Sequence, residues 1–226
     1  MIDHFIQTLA VGAESSLFVF DCYGTLFDDR TGFPDVATVC DVLSLELGIH
    51  ETDVQVFANR LIAGAGQSLL GEGPPTSIFD RFEVLADEKG LKVRRDTCEA
   101  LLWSLLGGGT ERFSLAPGAI QLLAAITSAG HKVRLLSNCV LPGSLMDRVL
   151  GALGIARFVD MAVYSSDGLA QKPSREAFEL VSVGEFTDRW MVGDNQCLDI
   201  EPAQRLGWRT FLVEGRLPTA ECLGLI

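Results

Sequence analysis

Hydrophobic positions along the chain fall into two rhythms. Short, nearly unbroken runs of β-branched, aliphatic and aromatic residues occur at Leu17–Phe20, Val133–Leu136, Met161–Tyr164, Trp190–Val192 and Thr210–Val213. Such runs predict strands buried on both faces, as in a parallel sheet. Between the later runs, apolar residues recur every three or four positions. PGAIQLLAAITSAG, LPGSLMDRVLGALG, SREAFELVSVG and IEPAQRLG therefore read as helices. Pro117 suits the first turn of the first of these and Gly130 its end. Strand and helix in alternation predict an α/β fold, a three-layer, Rossmann-like parallel sheet with helices on both faces.

The first run breaks the alternation. About 85 residues between Thr31 and Ala116 hold no core strand, too many for a plain connection. They carry four helical patterns instead: VATVCDVLSLELGI, DVQVFANRLIAGAGQSLL, TSIFDRFEVLADEKG and RRDTCEALLWSLL. Leu43 and Leu47 share one helix face, as do Phe57 and Leu61. The expected organisation is a core of residues 1–30 and 117–226 with an inserted α-helical cap subdomain at 31–116. GAGQSLLGEGPPT is expected to be a loop within the insertion, and GGGTERF a flexible return to the core.

Composition narrows the setting. At 226 residues, with 48% apolar and 21% charged residues, the chain can bury a proper core. A formal charge of −12 disfavours nucleic acid or an anionic membrane as partner. A small anionic substrate stays compatible with that charge if a bound cation or a local lysine offsets it. MIDHFIQTLA lacks the basic start of a secretory signal, and no apolar stretch is long enough to span a bilayer. The six cysteines are scattered, with no CxxC pair, as expected of reduced thiols in a cytoplasmic protein. Monomer and homodimer are equally compatible with the sequence.

Candidate chemistry sits where ligands gather in open α/β sheets, at the carboxyl ends of strands. The first strand ends in Asp21, followed by Gly24 and Thr25, and the second in Ser137 and Asn138. Lys172-Pro173 follows the third, with the proline suited to the first turn of the next helix. The fourth ends in Gly193-Asp194-Asn195, with Asp199 five positions beyond Asp194. A carboxylate can attack phosphorus or an activated carbon and be freed by water. Glycine allows a sharp turn beside it. Each residue also has an ordinary reading: an Asx turn for Asp21, a strand terminus for Ser137, a surface lysine for Lys172, a helix cap for Asp199.

Together, and in this order, these four motifs resemble the haloacid dehalogenase superfamily of aspartyl-nucleophile hydrolases, with the insertion where that family places its type-one cap. The resemblance implies that Asp21 is the nucleophile and that Lys172 stabilises charge at the reacting centre. Thr25 and Ser137 would act on the transferring group, with Gly24, Asn138 and Tyr23 also contacting substrate. Asp21, the main-chain carbonyl of Tyr23, Asp194 and Asp199 would hold magnesium, a hard cation that prefers oxygen ligands. Asp199 would bind through water or orient Lys172. Arg60 and Arg81 in the insertion are candidates for a substrate anion, or solvated helix-face arginines.

Tyr23 complicates the picture. Most phosphatases of this family carry there a second aspartate that protonates the leaving group. DCYGTL is instead similar to the opening of the 2-haloacid dehalogenases, which need neither that acid nor a metal. GDNQCLD and QKPSREAF point the other way: Asp194 and Gln196 replace the dehalogenases' serine and asparagine, and Phe178 a tyrosine. Metal binding without the second aspartate has a precedent in the phosphonoacetaldehyde hydrolase branch. The resemblance thus implies a magnesium-dependent phosphatase on a small phosphorylated metabolite. Metal-independent dehalogenation and a binding protein that keeps the fold without catalysis are its rivals.

Overall fold

The computed structural model describes residues 15–30, 35–47, 51–90 and 112–225, together with residues 96, 100 and 103; the side chains of 45–47 and 51–53 lie outside the description. Five strands form one parallel sheet: β1 (Leu17–Phe20), β4 (Lys132–Ser137), β5 (Val159–Tyr164), β6 (Arg189–Gly193) and β7 (Arg209–Leu212). Their order is β5-β4-β1-β6-β7, with β1 in the centre, paired to β4 through Phe20↔Leu135 and to β6 through Phe20↔Val192. The last strand lies one residue earlier than its apolar run suggested.

The alternation of β1 explains the three layers. Phe18 and Phe20 point into one core with Leu123, Ile126, Met146 and Val149, from the helices α4 (Ala119–Ser128) and α5 (Gly143–Ala152). Leu17 and Val19 point into another with Ala177, Phe178 and Val181 of α6 (Arg175–Val181) and Ala203 of α7 (Glu201–Arg205). All four β1 side chains are buried, so an unbroken apolar run is what a central parallel strand needs.

Two helix starts differ from expectation. α4 is preceded by Gly118 in the left-handed region (φ 85°), so Pro117 lies outside the helix. α6 is capped by the Ser174 side chain, which accepts from Ala177 N, so Pro173 also precedes its helix; the Lys172–Pro173 bond is cis. At α6 the serine takes the capping position that the proline cannot fill.

Two short strands escaped the sequence reading. β2 (Phe27–Asp29) and β3 (Phe113–Leu115) pair antiparallel, Phe27 opposite Leu115 and Asp29 opposite Phe113. At three residues each, neither shows enough alternation to register. Between them lie α1 (Val36–Leu47), α2 (Glu51–Leu69) and α3 (Ile78–Glu88). Leu43, Phe57 and Leu61 are buried among them, and Phe57 meets Phe82 edge to face at 5.1 Å. Ser77 and Asp80 form a capping box that starts α3. Of the expected loop GAGQSLLGEGPPT, GAGQSL is helical and continues α2 to Leu69, whereas the rest is non-helical as expected. Gly64 lets Arg81 of α3 approach the α2 backbone, and Arg81 donates to the buried Ser68 one turn on. RRDTCEALLWSLL and most of GGGTERF fall outside the described residues, apart from isolated positions. Among the described residues, no helix is long and apolar enough to cross a membrane, and five cysteines are free thiols.

Candidate active site

Asp21 leaves the carboxyl end of the central strand, its N–H still bonded to Val192 O of β6 at 3.0 Å. The next residues turn tightly. Cys22 O accepts from Leu26 N at 2.8 Å and Phe27 N at 3.1 Å, and Gly24 takes φ 75°. A side chain at Gly24 would be strained and would also collide with the Asp194 carboxylate. Since β6 is the neighbour of β1, Asp194 emerges beside Asp21 at the same rim.

Lys172 reaches this rim from the segment after β5. Its ammonium donates to Asp21 Oδ1 at 2.7 Å and to Asp199 Oδ1 at 2.6 Å, with lysine and both carboxylates buried. Asn138 fixes the lysine backbone: its Nδ2 donates to Lys172 O at 2.9 Å, and Lys172 N donates to its Oδ1 at 2.8 Å. The asparagine expected at the substrate therefore spends its amide on holding the lysine. Gln171 ties the same segment to the loop after α2, donating to Gly71 O at 3.0 Å and Gly73 O at 2.7 Å.

Asp199 is fully committed. Besides Lys172, it accepts from Asn195 N through Oδ2 at 3.0 Å. It lies in a π-helical turn, Gln196–Ile200, whose cap is the Asn195 side chain rather than Asp199. Gly193 leaves the space that Asp199 fills, since a Cβ there would collide with the carboxylate.

The carboxylates of Asp21, Asp194 and Asp199 each place an oxygen within 4.8 Å of the others. Three carboxylates facing one ammonium leave excess negative charge. Burial pushes the Asp21 carboxyl up to about 6; the Lys172 charge opposes the rise and the Asp199 charge adds to it. For Lys172, burial acts downward, but Asp21 and Asp199 outweigh it and hold the lysine above its usual range. Asp194 is raised by burial and then by Asp199. A divalent cation relieves this repulsion, and the Asp194 carboxylate is not committed to Lys172 or Asn195. The donor set fits a hard cation such as magnesium.

A cavity of about 360 Å³ opens at the rim and reaches Asp21, Asn138, Lys172, Asp194 and Asp199. Thr25 and Ser137 lie behind it; both hydroxyls are buried with no hydrogen-bond partner among the described residues. Gly24 also lies outside the cavity lining and donates its N–H to Phe27 O. Tyr23 borders the cavity but serves packing. Its ring meets Phe27 at 5.0 Å and Phe113 at 6.2 Å, and its hydroxyl is directed to Met146 Sδ at 3.5 Å. Burial pushes its phenol well above the usual tyrosine range, which suits it poorly to proton transfer. Arg60 pairs with Glu88 and Arg81 with Ser68, and neither borders this cavity. Leu69, Phe113, Val140, Leu141, Leu198 and Asp29 also line it and were not anticipated. They come from loops, helix turns and the two short strands β2 and β3, where sequence spacing carries no sign of orientation.

Comparison with known proteins agrees with this geometry. A family profile described as haloacid dehalogenase-like hydrolase matches residues 16–207. Among solved structures, a HAD phosphatase from Thermococcus onnurineus is 20% identical with a TM-score of 0.59, over 88% of this chain and 86% of its own. YfnB from Bacillus subtilis, described as a HAD-hydrolase bound to magnesium, is 19% identical with a TM-score of 0.55, over 88% and 89%. The L-2-haloacid dehalogenase from Xanthobacter autotrophicus is 24% identical with a TM-score of 0.51, over 93% and 81%. At these identities the structural likenesses speak for the fold. No curated protein sequence matches. With the sheet order, the rim and the profile match in agreement, the chain belongs to the haloacid dehalogenase-like hydrolases.

Proposed function

We propose that this hydrolase is a magnesium-dependent phosphatase with Asp21 as nucleophile, acting on a small phosphorylated metabolite beneath a helical cap formed by residues 31–116. The observation that carries the reading is the acidic cluster: three carboxylates around one ammonium, with Asp194 where the dehalogenase pattern has serine. Carbon–halogen cleavage needs no cation, so a third carboxylate there would only repel the nucleophile and the substrate's own carboxylate.

Lys172 holds Oδ1 of Asp21, which leaves the other oxygen to attack phosphorus. The P–O ester bond breaks, the alcohol oxygen departs with its electron pair, and an aspartyl phosphate remains. Water then cleaves the acyl phosphate and returns the carboxylate. Magnesium, held by Asp21, Asp194 and the Tyr23 carbonyl, would offset the charge gathered on the phosphoryl oxygens. Asp199 keeps Lys172 and the Asn195 turn in place rather than contacting the ion directly. With Tyr23 turned to Met146, the side chain at that position offers the leaving oxygen no proton.

Phosphate release from 4-nitrophenyl phosphate, measured with magnesium and with excess chelator, tests this, alongside chloride release from chloroacetate. Phosphate release is expected only with magnesium, and Asp21→Asn should abolish it without unfolding the protein. Metal-independent chloride release would instead establish the dehalogenase reading. Neither activity, together with no thermal shift by beryllofluoride and magnesium, would point to a binding protein.

A further inference from the structure

Among the described residues, the cavity beside Asp21 has a strongly polar end and a largely apolar remainder. Beyond the acidic cluster, Lys172, Asp29 and two asparagines, Asn138 and Asn195, it is faced by Tyr23, Leu69, Phe113, Val140, Leu141 and Leu198. Among the described residues that line it, Lys172 is the sole cation, and its two short contacts go to Asp21 and Asp199. Asp194 adds negative charge to the same space, and Asp29 lines it paired with the Arg112 guanidinium. A second anionic group on the substrate would meet carboxylates and apolar carbon there. Hydroxyl-rich groups would fare poorly as well, because they would lose water against a wall with few partners.

A separate observation concerns the bond that breaks. The Tyr23 hydroxyl is directed to Met146 Sδ at 3.5 Å, within an aromatic cluster with Phe27 and Phe113. A leaving oxygen that receives no proton must be stable as an anion, so the alcohol must be acidic. Apolar wall and missing acid point to the same chemistry. A volume of about 360 Å³ also limits size, near the low end of ligand pockets.

Building on the phosphatase reading, we infer that the substrate is the phosphate monoester of an uncharged, apolar, acidic alcohol, an aryl or enol monophosphate, rather than a sugar phosphate or a phosphorylated carboxylic acid. Leu69 is the specificity residue best placed to show this. It ends α2, borders the cavity and is 39% exposed, so a charged side chain fits there.

Calorimetric binding of two non-hydrolysable probes to the magnesium-loaded protein provides the test. Phenylphosphonate should bind at least about 10-fold more tightly than 4-carboxyphenylphosphonate, since the added carboxylate would be buried without a partner. Leu69→Lys should narrow that ratio, whereas Leu70→Lys, at a neighbouring 61% exposed position outside the cavity lining, should leave it unchanged. Equal binding of the two probes, or tighter binding of the carboxylate, overturns the substrate class while leaving the phosphate site standing. If neither probe binds, the phosphatase reading fails and this inference with it.

Discussion

Replacing Lys172 with methionine keeps much of the side-chain volume and removes its charge. The native side chain is 2% exposed and lies 2.7 Å from Asp21 and 2.6 Å from Asp199, so its loss leaves two buried carboxylates without a counterion. Deleting one partner of a buried ion pair costs about 3–5 kcal/mol. That is a large share of the ~5–15 kcal/mol that holds an ordinary domain. The carboxylates can relieve the repulsion by binding a proton, so Asp21 in the variant should titrate above its native value of about 6. A carboxyl whose pKa is higher in the folded than in the unfolded chain gives the folded form more bound protons between the two values. Stability therefore falls as pH rises through that window, from the unfolded value near ~3.9 upward. Urea unfolding followed by circular dichroism, with chelator present, should show the full deficit at about pH 8 and a smaller one at about pH 5. Adding Asp199→Asn should recover part of the loss, because only one carboxylate then remains. A deficit below about 1 kcal/mol at the higher pH would match a solvated pair. Such a result, or a deficit indifferent to pH, would refute the buried counterion.

Other substitutions probe the rest of the rim. Gly24→Ala, at φ 75° and against the Asp194 carboxylate, should weaken magnesium binding about 10-fold or more by calorimetry; unchanged affinity would remove Asp194 from the cation site. Tyr23→Phe gives up only a contact with Met146, so phosphate release should stay within a few-fold, whereas a loss of about 100-fold would place the phenol in the chemistry. Gly71→Ala adds a side chain that collides with the Lys172 carbonyl at φ 73° and should lift the loop that Gln171 holds. Steady-state kinetics should show KM rising with kcat less affected, and an unmoved KM would show that this loop does not shape the cavity.

Residues followed by a regular main chain were legible before the fold was known. Asp21, Ser137 and Asp194 each close an apolar run, and a run's end is visible in sequence because composition changes there. The parallel sheet followed from the same runs, since a strand covered on both faces has no polar alternation to hide it. What stayed hidden depends on contacts between distant segments. Nothing in sequence shows that the Asn138 amide, at the edge of the cavity, spans to the Lys172 main chain. The β2–β3 pair went unseen because each strand is too short for a period, though together they carry the chain to the inserted helices and back. GAGQSL was misread because glycine is a poor helix former, but Gly64 is there for the close approach of Arg81. Pro117 and Pro173 misled for a related reason: proline is compatible with a helix start without marking one.

The glycines at the rim bear on whether the site is kept for chemistry or survives as a remnant. Gly24 and Gly193 each leave the volume that a carboxylate occupies, the first for Asp194 and the second for Asp199. At Gly24 the backbone (φ 75°) disfavours a side chain as well, and at Gly193 the Asp199 Cβ itself stands in the way. Holding Asp21, Asp199 and Lys172 out of water also costs several kcal/mol per ion, offset only when every partner is in place. A fold retained merely for binding gains nothing from such an arrangement, because apolar side chains of similar volume would be as stable or more so. The buried charges of Asp21, Asp199 and Lys172 beside a cavity therefore support the proposal that Asp21 is a working nucleophile. On that proposal, Tyr23 in place of an acid would limit which alcohols can leave without altering the nucleophile.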